Sequence, residues 1–219
     1  MTRQISLEYS VATAVEPSKR VMQTAAMFGL GVDDNRSIKI VPQCIIPLPP
    51  ASVIFITGPS GSGKTTILRL IGEKTIELGL RVIRFNKLPE LPDQPLVDAF
   101  DLPLKQVTAL LALAGMGDAF VMLRKPSQLS DGQRYRLRLA QMFSIADRSD
   151  SSCIILADEF GATLDRLTAK IIARNAHRWV SKSQHTFIVA TTHDDLLEAL
   201  EPSVLVVKEL DENIEVLVR

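Results

Sequence analysis

Residues 58–65 read Gly-Pro-Ser-Gly-Ser-Gly-Lys-Thr and follow directly on the apolar run Ser52-Val53-Ile54-Phe55-Ile56-Thr57. A helical pattern, Thr66-Ile67-Leu68-Arg69-Leu70-Ile71, comes next. Strand, glycine-rich turn and helix in this order, with the spacing G-x-x-x-x-G-K-[ST], tightly restrict what the chain can build. Glycines at 58, 61 and 63 let the backbone curl without a Cβ in the way, so that successive N–H groups converge on one point. The start of the following helix adds a dipole that favours negative charge there. Such a loop holds phosphate. The candidate cradle is Gly58, Pro59, Ser60, Gly61, Ser62, Gly63, Lys64, Thr65 and Thr66, with Lys64 reaching the β- and γ-phosphates and Thr65 holding Mg²⁺. A plain glycine-rich connector is the bland alternative, and the full match in its strand–helix context disfavours it.

The chain has 219 residues, enough for one sizeable domain or one domain with an inserted subdomain. Hydrophobic residues make up 46%, so a packed core is available. Lys+Arg and Asp+Glu are both 25, and a formal net charge of zero gives no global argument for nucleic acid. The cysteines, Cys44 and Cys153, lie far apart and form no metal-ligand pair; Cys153 opens an apolar strand and reads as a buried thiol. The polar, mixed segment from Met1 to Tyr9 is unlike a signal peptide. No apolar stretch approaches the roughly 18 residues needed to span a bilayer. The expectation is a cytoplasmic, soluble chain with no direct membrane insertion.

Alternation of Ile5, Leu7, Tyr9 and Val11 suits an edge strand over 5–15, and 18–29 reads as a helix stopped by Gly29. A polar turn, Asp33-Asp34-Asn35, leads to the strand Ile38–Val41. Pro42, Pro47, Pro49 and Pro50 then suggest an extended connection. A second strand covers Arg81–Phe85, and prolines at 89, 92, 95 and 103 exclude a regular helix over 88–103. Helical patterns follow at 104–117, stopped by Gly115 and Gly117, and from Ser130 to about Ala146. Then come the strand Cys153–Ala157, a helix over Asp165–Val180, the strand Thr186–Thr191, a short helix over Asp194–Leu200, and two closing strands, Val204–Val207 and Ile214–Val218. Alternating strands and helices imply an α/β fold with a mostly parallel sheet, and strands apolar on both faces imply helices on each side of it.

A nucleoside triphosphate site needs a second carboxylate station. Cys153–Ala157 followed by Asp158-Glu159 supplies it, since a buried strand delivers the acids to the edge of the sheet beside the loop. Asp158 would help hold Mg²⁺, and Glu159 would polarise the attacking water as general base. An ordinary strand end with acidic cap residues is the alternative. Leu129-Ser130-Asp131-Gly132-Gln133, at the start of a helix, is a second anion site in form: a Ser N-cap, free N–H groups and a glycine allowing close approach.

With these segments the chain resembles the ABC-type ATPases, whose signature is Leu-Ser-Gly-Gly-Gln at a helix start. The resemblance implies an ABC-type P-loop NTPase of α/β class: a mostly parallel sheet flanked by helices, a small helical subdomain and antiparallel strands. It further implies a single domain over 1–219 with a helical signature subdomain at about 88–146, and ATP and Mg²⁺ as cofactors. Asp131 departs from the signature by replacing its first glycine, and a carboxylate there would repel a γ-phosphate unless it points away. Ala162-Thr163-Leu164-Asp165 sits where the family has its D-loop, and Thr191-Thr192-His193 where it has its switch histidine, so that His193 would sense the γ-phosphate and position Glu159 and water. His177 and His185 match nothing and read as structural or exposed. In this family the signature of one subunit faces the P-loop of another. Ser130, Gly132 and Gln133 would complete a partner's site, the partner being a second copy or a paralogous ABC ATPase.

Other parts match less closely. Gln94 is the candidate for the Q-loop residue at the metal, in proline-rich surroundings unlike the family's. Phe28 and Tyr9 are both candidates for adenine stacking; Phe28 has the nearer separation, but its helical setting reads as core packing. The stretches Ser127–Ala140 and Asp158–Arg166 resemble soluble ABC-type ATPases found fused to, or near, GNAT-type acetyltransferase domains. That implies a soluble, non-transport ATPase acting through ATP-driven dimerisation, with an acetyltransferase or other protein as partner. One alternative is the nucleotide-binding subunit of a membrane transporter, which would need a groove for a membrane partner's helix beside the helical subdomain; the poorly matched Q-loop argues against it. A P-loop kinase or scaffold would need neither the signature nor Glu159. A DNA-repair-like clamp stays open through Arg134, Arg136 and Arg138 with Arg124 and Lys125, although spacing of two spreads the three arginines around a helix, and a solvated or interface-facing helix is the plain reading. Replacing Lys64 with Ala is expected to abolish nucleotide binding in a calorimetric titration; unchanged affinity would remove Lys64 from its role.

Overall fold

The structure, a computed structural model, describes residues 3–13, 16, 18–30, 36–211 and 213–219. The expected turn Asp33-Asp34-Asn35 and the end of the first strand at 14–15 lie outside these residues.

The strands are β1 (Arg3–Thr13), β2 (Arg36–Leu48), β3 (Ser52–Thr57), β4 (Arg81–Arg84), β5 (Cys153–Ala157), β6 (Thr186–Ala190), β7 (Val204–Lys208) and β8 (Ile214–Val218). The helices are α1 (Lys19–Met27), α2 (Lys64–Glu77), α3 (Leu104–Leu113), α4 (Ala119–Met122), α5 (Asp131–Asp147), α6 (Arg166–Val180) and α7 (Leu197–Leu200). Six strands form the main sheet in the order β4-β5-β6-β3-β7-β8, parallel except for β8. β1 and β2 form a separate antiparallel pair.

Every residue of β3, β5 and β6 is buried. Period-two alternation divides β3 between two cores: Val53 and Phe55 face one side, Ile54 and Ile56 the other. The first side packs against α3, α5 and α6 through Leu111, Phe143 and Ile172. The second packs against α2 through Ile67 and Ile71, and against the two-stranded sheet through Leu7 and Ile46. On α6 the buried residues Ala169, Ile172, Ala173, Ala176 and Val180 recur at helical spacing, which turns one stripe inward.

Helix α5 starts where the sequence places it. Ser130 Oγ accepts from Gln133 N at 3.3 Å, and Gln133 Oε1 accepts from Ser130 N at 3.0 Å, a reciprocal capping box. Helix α3 ends at Leu113, earlier than expected, with Gly115 at φ 76°. One expectation is overturned: residues 42–48 are not a connection, because β2 runs on through Pro42 and Pro47. Leu7 pairs with Cys44 and Tyr9 with Val41, so a bulge takes up Pro42, and neither proline has to supply a ladder donor within a larger sheet. No described helix is long and apolar enough to cross a membrane.

Phe187 is fully buried, with its ring 5.6 Å from that of Phe160 in an edge-on contact. Phe187→Ala is expected to cost about 3–5 kcal/mol of unfolding free energy, read from the urea midpoint.

Candidate functional site

Strand order decides where the site forms. β6 lies between β3 and β5, with Ile56 paired to Ala190 and Ala157 to Val189. Thr191 N donates to Ile56 O at 3.1 Å and extends that register past the end of β6. The loop after β3, the acids after β5 and the threonines after β6 therefore emerge side by side at one sheet edge. Between them is a cavity of ≈ 440 Å³ lined by Ser60, Gly61, Gly63, Lys64, Thr65, Asp158, Glu159, Ala162 and Ala190–Thr192.

The loop has the backbone its glycines were expected to allow. Gly58, Gly61 and Gly63 have φ of 138°, 81° and 100°, all in the left-handed half. A Cβ on Gly58 would lie 1.9 Å from the carbonyl oxygen of Lys208, so the close approach of β7 also requires glycine there. Lys64 Nζ donates to Gly58 O at 2.8 Å and Pro59 O at 2.7 Å. Burial pushes the Lys64 ammonium pKa down, and the carboxylates of Asp158, Asp194 and Glu159 oppose that shift. The Ser62 hydroxyl is buried with no hydrogen-bond partner among the described residues. An orphaned polar atom inside a ring of left-handed glycines fits a phosphate ligand. The oxygen donors of Thr65 and Asp158, both lining the cavity, suit a hard cation such as Mg²⁺.

Glu159 is exposed beside Asp158 with φ of 49°, one of three non-glycine residues at positive φ among the described residues. His193 is half-buried, one residue beyond the cavity-lining Thr192, and its N–H donates to Thr191 Oγ1 at 3.2 Å. Asp194, which the sequence reading passed over, accepts from the Thr57 hydroxyl and ties the segment after β6 to the end of β3. Asp165 caps α6 through Thr168 N at 2.9 Å, and this bonding holds its carboxyl below the usual range.

Ser130, Gly132 and Gln133 do not line this cavity. They sit exposed or half-exposed at the start of α5, with Gly132 facing the Thr163 and Leu164 segment of the same chain. Asp131 extends into solvent and pairs with Arg134 at 3.1 Å, which offsets the charge that departs from the resembled signature. Arg136 donates to Gly115 O at 2.6 Å and to Gly132 O at 3.2 Å; Arg138 donates to Phe85 O at 3.0 Å. The three arginines therefore have partners within the chain.

Gln94 is not brought to the site. Its amide donates to the Asp98 carbonyl, and it lines neither the phosphate cavity nor the one beside it. Asn86, directly after Phe85 at the end of β4, lines a cavity of ≈ 280 Å³ together with Thr65 and Asp158. Its signal in sequence was its place, immediately after a strand, rather than a glutamine side chain. Phe28 is also corrected: it is 74% exposed, and α1 buries no residue, so it does not pack in the core. Tyr9 has its ring face covered by the Arg69 guanidinium at 5.1 Å. His185 is buried and structural: it stacks on Trp179 at 5.5 Å and accepts from Cys153 N at 3.1 Å. It borders a larger cavity of ≈ 880 Å³ at the opposite end of β5 and β6, away from the phosphate loop.

The family model for ATPases associated with various cellular activities (AAA) matches residues 54–217, which run from the phosphate-loop strand to the last strand. The chain belongs to this ATPase family. Its fold is that of an ABC ATPase cassette. A dimeric ATP-binding cassette in a post-hydrolysis state, bound to ADP and Pi, superimposes with a TM-score of 0.57 over 83% of this chain and 92% of that one, at 21% identity. A dimeric bacterial ABC transporter cassette gives 0.58 over 82% and 91%, also at 21%. Among curated relatives, the sulfate/thiosulfate import ATP-binding protein CysA 2 of Agrobacterium fabrum is 27% identical over 72% of the ATPase and 53% of the relative. The aliphatic sulfonates import ATP-binding protein SsuB 1 of Paracoccus denitrificans is 27% identical over 90% and 81%. The CysA protein of Nocardia farcinica is 32% identical over 68% and 51%. The ATPase thus spans about half the length of both sulfate/thiosulfate relatives.

Asn86→Ala is expected to lower Mg²⁺-dependent turnover by about tenfold or more, as loss of a group bordering a metal site does. Gln94→Ala is expected to leave it within about twofold. Steady-state ATPase assays of both variants across Mg²⁺ concentrations check the pair.

Proposed function

We propose that this chain is the ATP-binding subunit of a membrane transporter, hydrolysing ATP with Mg²⁺ between two head-to-tail copies at the cytoplasmic face of the membrane. The observation that carries the composite site is that the phosphate cavity has no signature residue in its own lining, while Ser130, Gly132 and Gln133 lie exposed or half-exposed at the start of α5. A second copy, or a paralogous cassette, would bring those groups to the γ-phosphate. Lys64 and the loop N–H groups hold the β- and γ-phosphates, and Thr65 and Asp158 hold the metal. The metal supplies charge neutralisation on the phosphate oxygens when bound. Glu159 takes the proton of the attacking water, His193 senses the γ-phosphate and positions Glu159 and water, and Asp165 faces the second copy. Residues 88–146 act as the lobe that carries the signature.

Two observations favour transport over the soluble role expected from the sequence. The curated relatives described above are import ATP-binding proteins. A cavity of ≈ 620 Å³ between the segment after β4 and helix α5, lined by Asn86, Leu88, Leu91, Arg134, Leu137 and Gln141 among others, supports the same reading. It would seat a short helix of a membrane subunit. The likeness of Ser127–Ala140 and Asp158–Arg166 to acetyltransferase-linked ATPases supports the soluble role as second reading.

Glu159→Gln with ATP and Mg²⁺ is expected to elute as a dimer in size-exclusion chromatography and to capture a membrane subunit that crosslinks to a reactive group placed at Leu91. Monomer alone would sink the composite site. An acetyltransferase or DNA in place of the membrane subunit would select the soluble or the DNA-repair-like reading.

A further inference from the structure

The turn that carries Glu159 is strained and held in place by contacts from elsewhere. Glu159 lies at φ 49° and Gly161 at 76°, so the chain bends twice through the left-handed region within three residues. A side-chain-bearing residue adopts that conformation only where surrounding contacts over-determine it. Phe160 N donates to Ala190 O at 3.1 Å, and Ala162 N donates to Glu159 O at 3.0 Å. These bonds fix the turn against β6 and close it. The next comes from a different part of the molecule: Gly161 N donates to the Tyr135 hydroxyl at 2.8 Å.

Tyr135 is on α5, shortly after the capping box at Ser130 and Gln133. Its ring lies 4.9 Å from Phe85, the neighbour of Asn86, and 6.4 Å from Phe160, the neighbour of Glu159. Phe160 is fully buried and continues the chain of contacts to Phe187 in β6. Ring packing alone would be met by phenylalanine. The hydroxyl adds one directional bond to the backbone two residues after the carboxylate, and burial pushes the phenol pKa up, so it stays neutral and cannot repel Glu159.

We propose that Tyr135 is a positioning residue for hydrolysis: its hydroxyl fixes the turn that aims Glu159 and ties that aim to the helix bearing the signature. The proposal rests on the reading of Glu159 as the group that takes a proton from water. Tyr135→Phe keeps the ring and removes the bond. It is expected to lower kcat about five- to tenfold with KM for ATP within about twofold, at a temperature where circular dichroism shows the variant fully folded. In the Glu159→Gln background, Tyr135→Phe is expected to lower the residual turnover no further, since both act through one group. A lower melting temperature with unchanged kcat, or additive losses in the double variant, would overturn the proposal. Should Tyr135→Phe fail to fold, 3-fluorotyrosine placed at position 135 weakens the acceptor without opening space; it is expected to lower kcat in the same sense, and unchanged kcat overturns the proposal. Glu159→Gln with full turnover would remove the reading beneath it; Glu159→Gln inactive with Tyr135→Phe unaffected would remove this proposal alone.

Discussion

The pairing of β6 between β3 and β5 is the contact on which the rest depends. It brings together three chain segments far apart in sequence: the glycine-rich loop after Thr57, the acids after Ala157 and the threonines after Ala190. Because the pairs are parallel and in register, all three leave the sheet at the same edge. Hydrogen bonds carry the arrangement past the strand ends, with Thr191 N on Ile56 O and Phe160 N on Ala190 O. A slip of one residue would turn Phe187 and Ile155 out of one core and into the other, and the close packing of each core around its own side chains opposes that exchange.

The phosphate loop and the acidic pair were legible in sequence for a local reason. Their chemistry is fixed by neighbouring residues, and glycine at left-handed φ leaves a direct mark on residue type. The main sheet was legible because fully buried strands are short apolar runs. What the sequence did not yield depends on contacts between distant segments. Asn86 comes to Thr65 and Asp158 only once β4 is laid beside β5, and no local pattern favours it over Gln94. The Tyr135 bond spans 26 residues. Pro42 and Pro47 looked like strand breakers because proline costs a central strand its ladder donors; in a two-stranded sheet with a bulge that cost does not arise. Phe28 was misread because exposure of an apolar helix face cannot be told from burial by periodicity alone.

The family description and the cassette fold narrow the chemistry to ATP, while the choice between transport and a soluble role rests on surfaces. The groove and the signature residues share helix α5. Asn86 borders both the groove and the cavity that holds Thr65 and Asp158. In the proposed reading, the sheet holds the phosphate half of the site and the start of α5 supplies the half for a second copy.

The middle of helix α5 is bound to backbone oxygens from separate segments: Arg136 to Gly115, Arg138 to Phe85 and Gln141 to Pro89. Backbone carbonyls do not swing away as side chains do. The same helix that opens with the Ser130 capping box is thus tied, further along, to Pro89 in the groove wall. A substitution that loosens one of these three bonds would disturb the groove and the helix start together, because both hang on the same backbone oxygens.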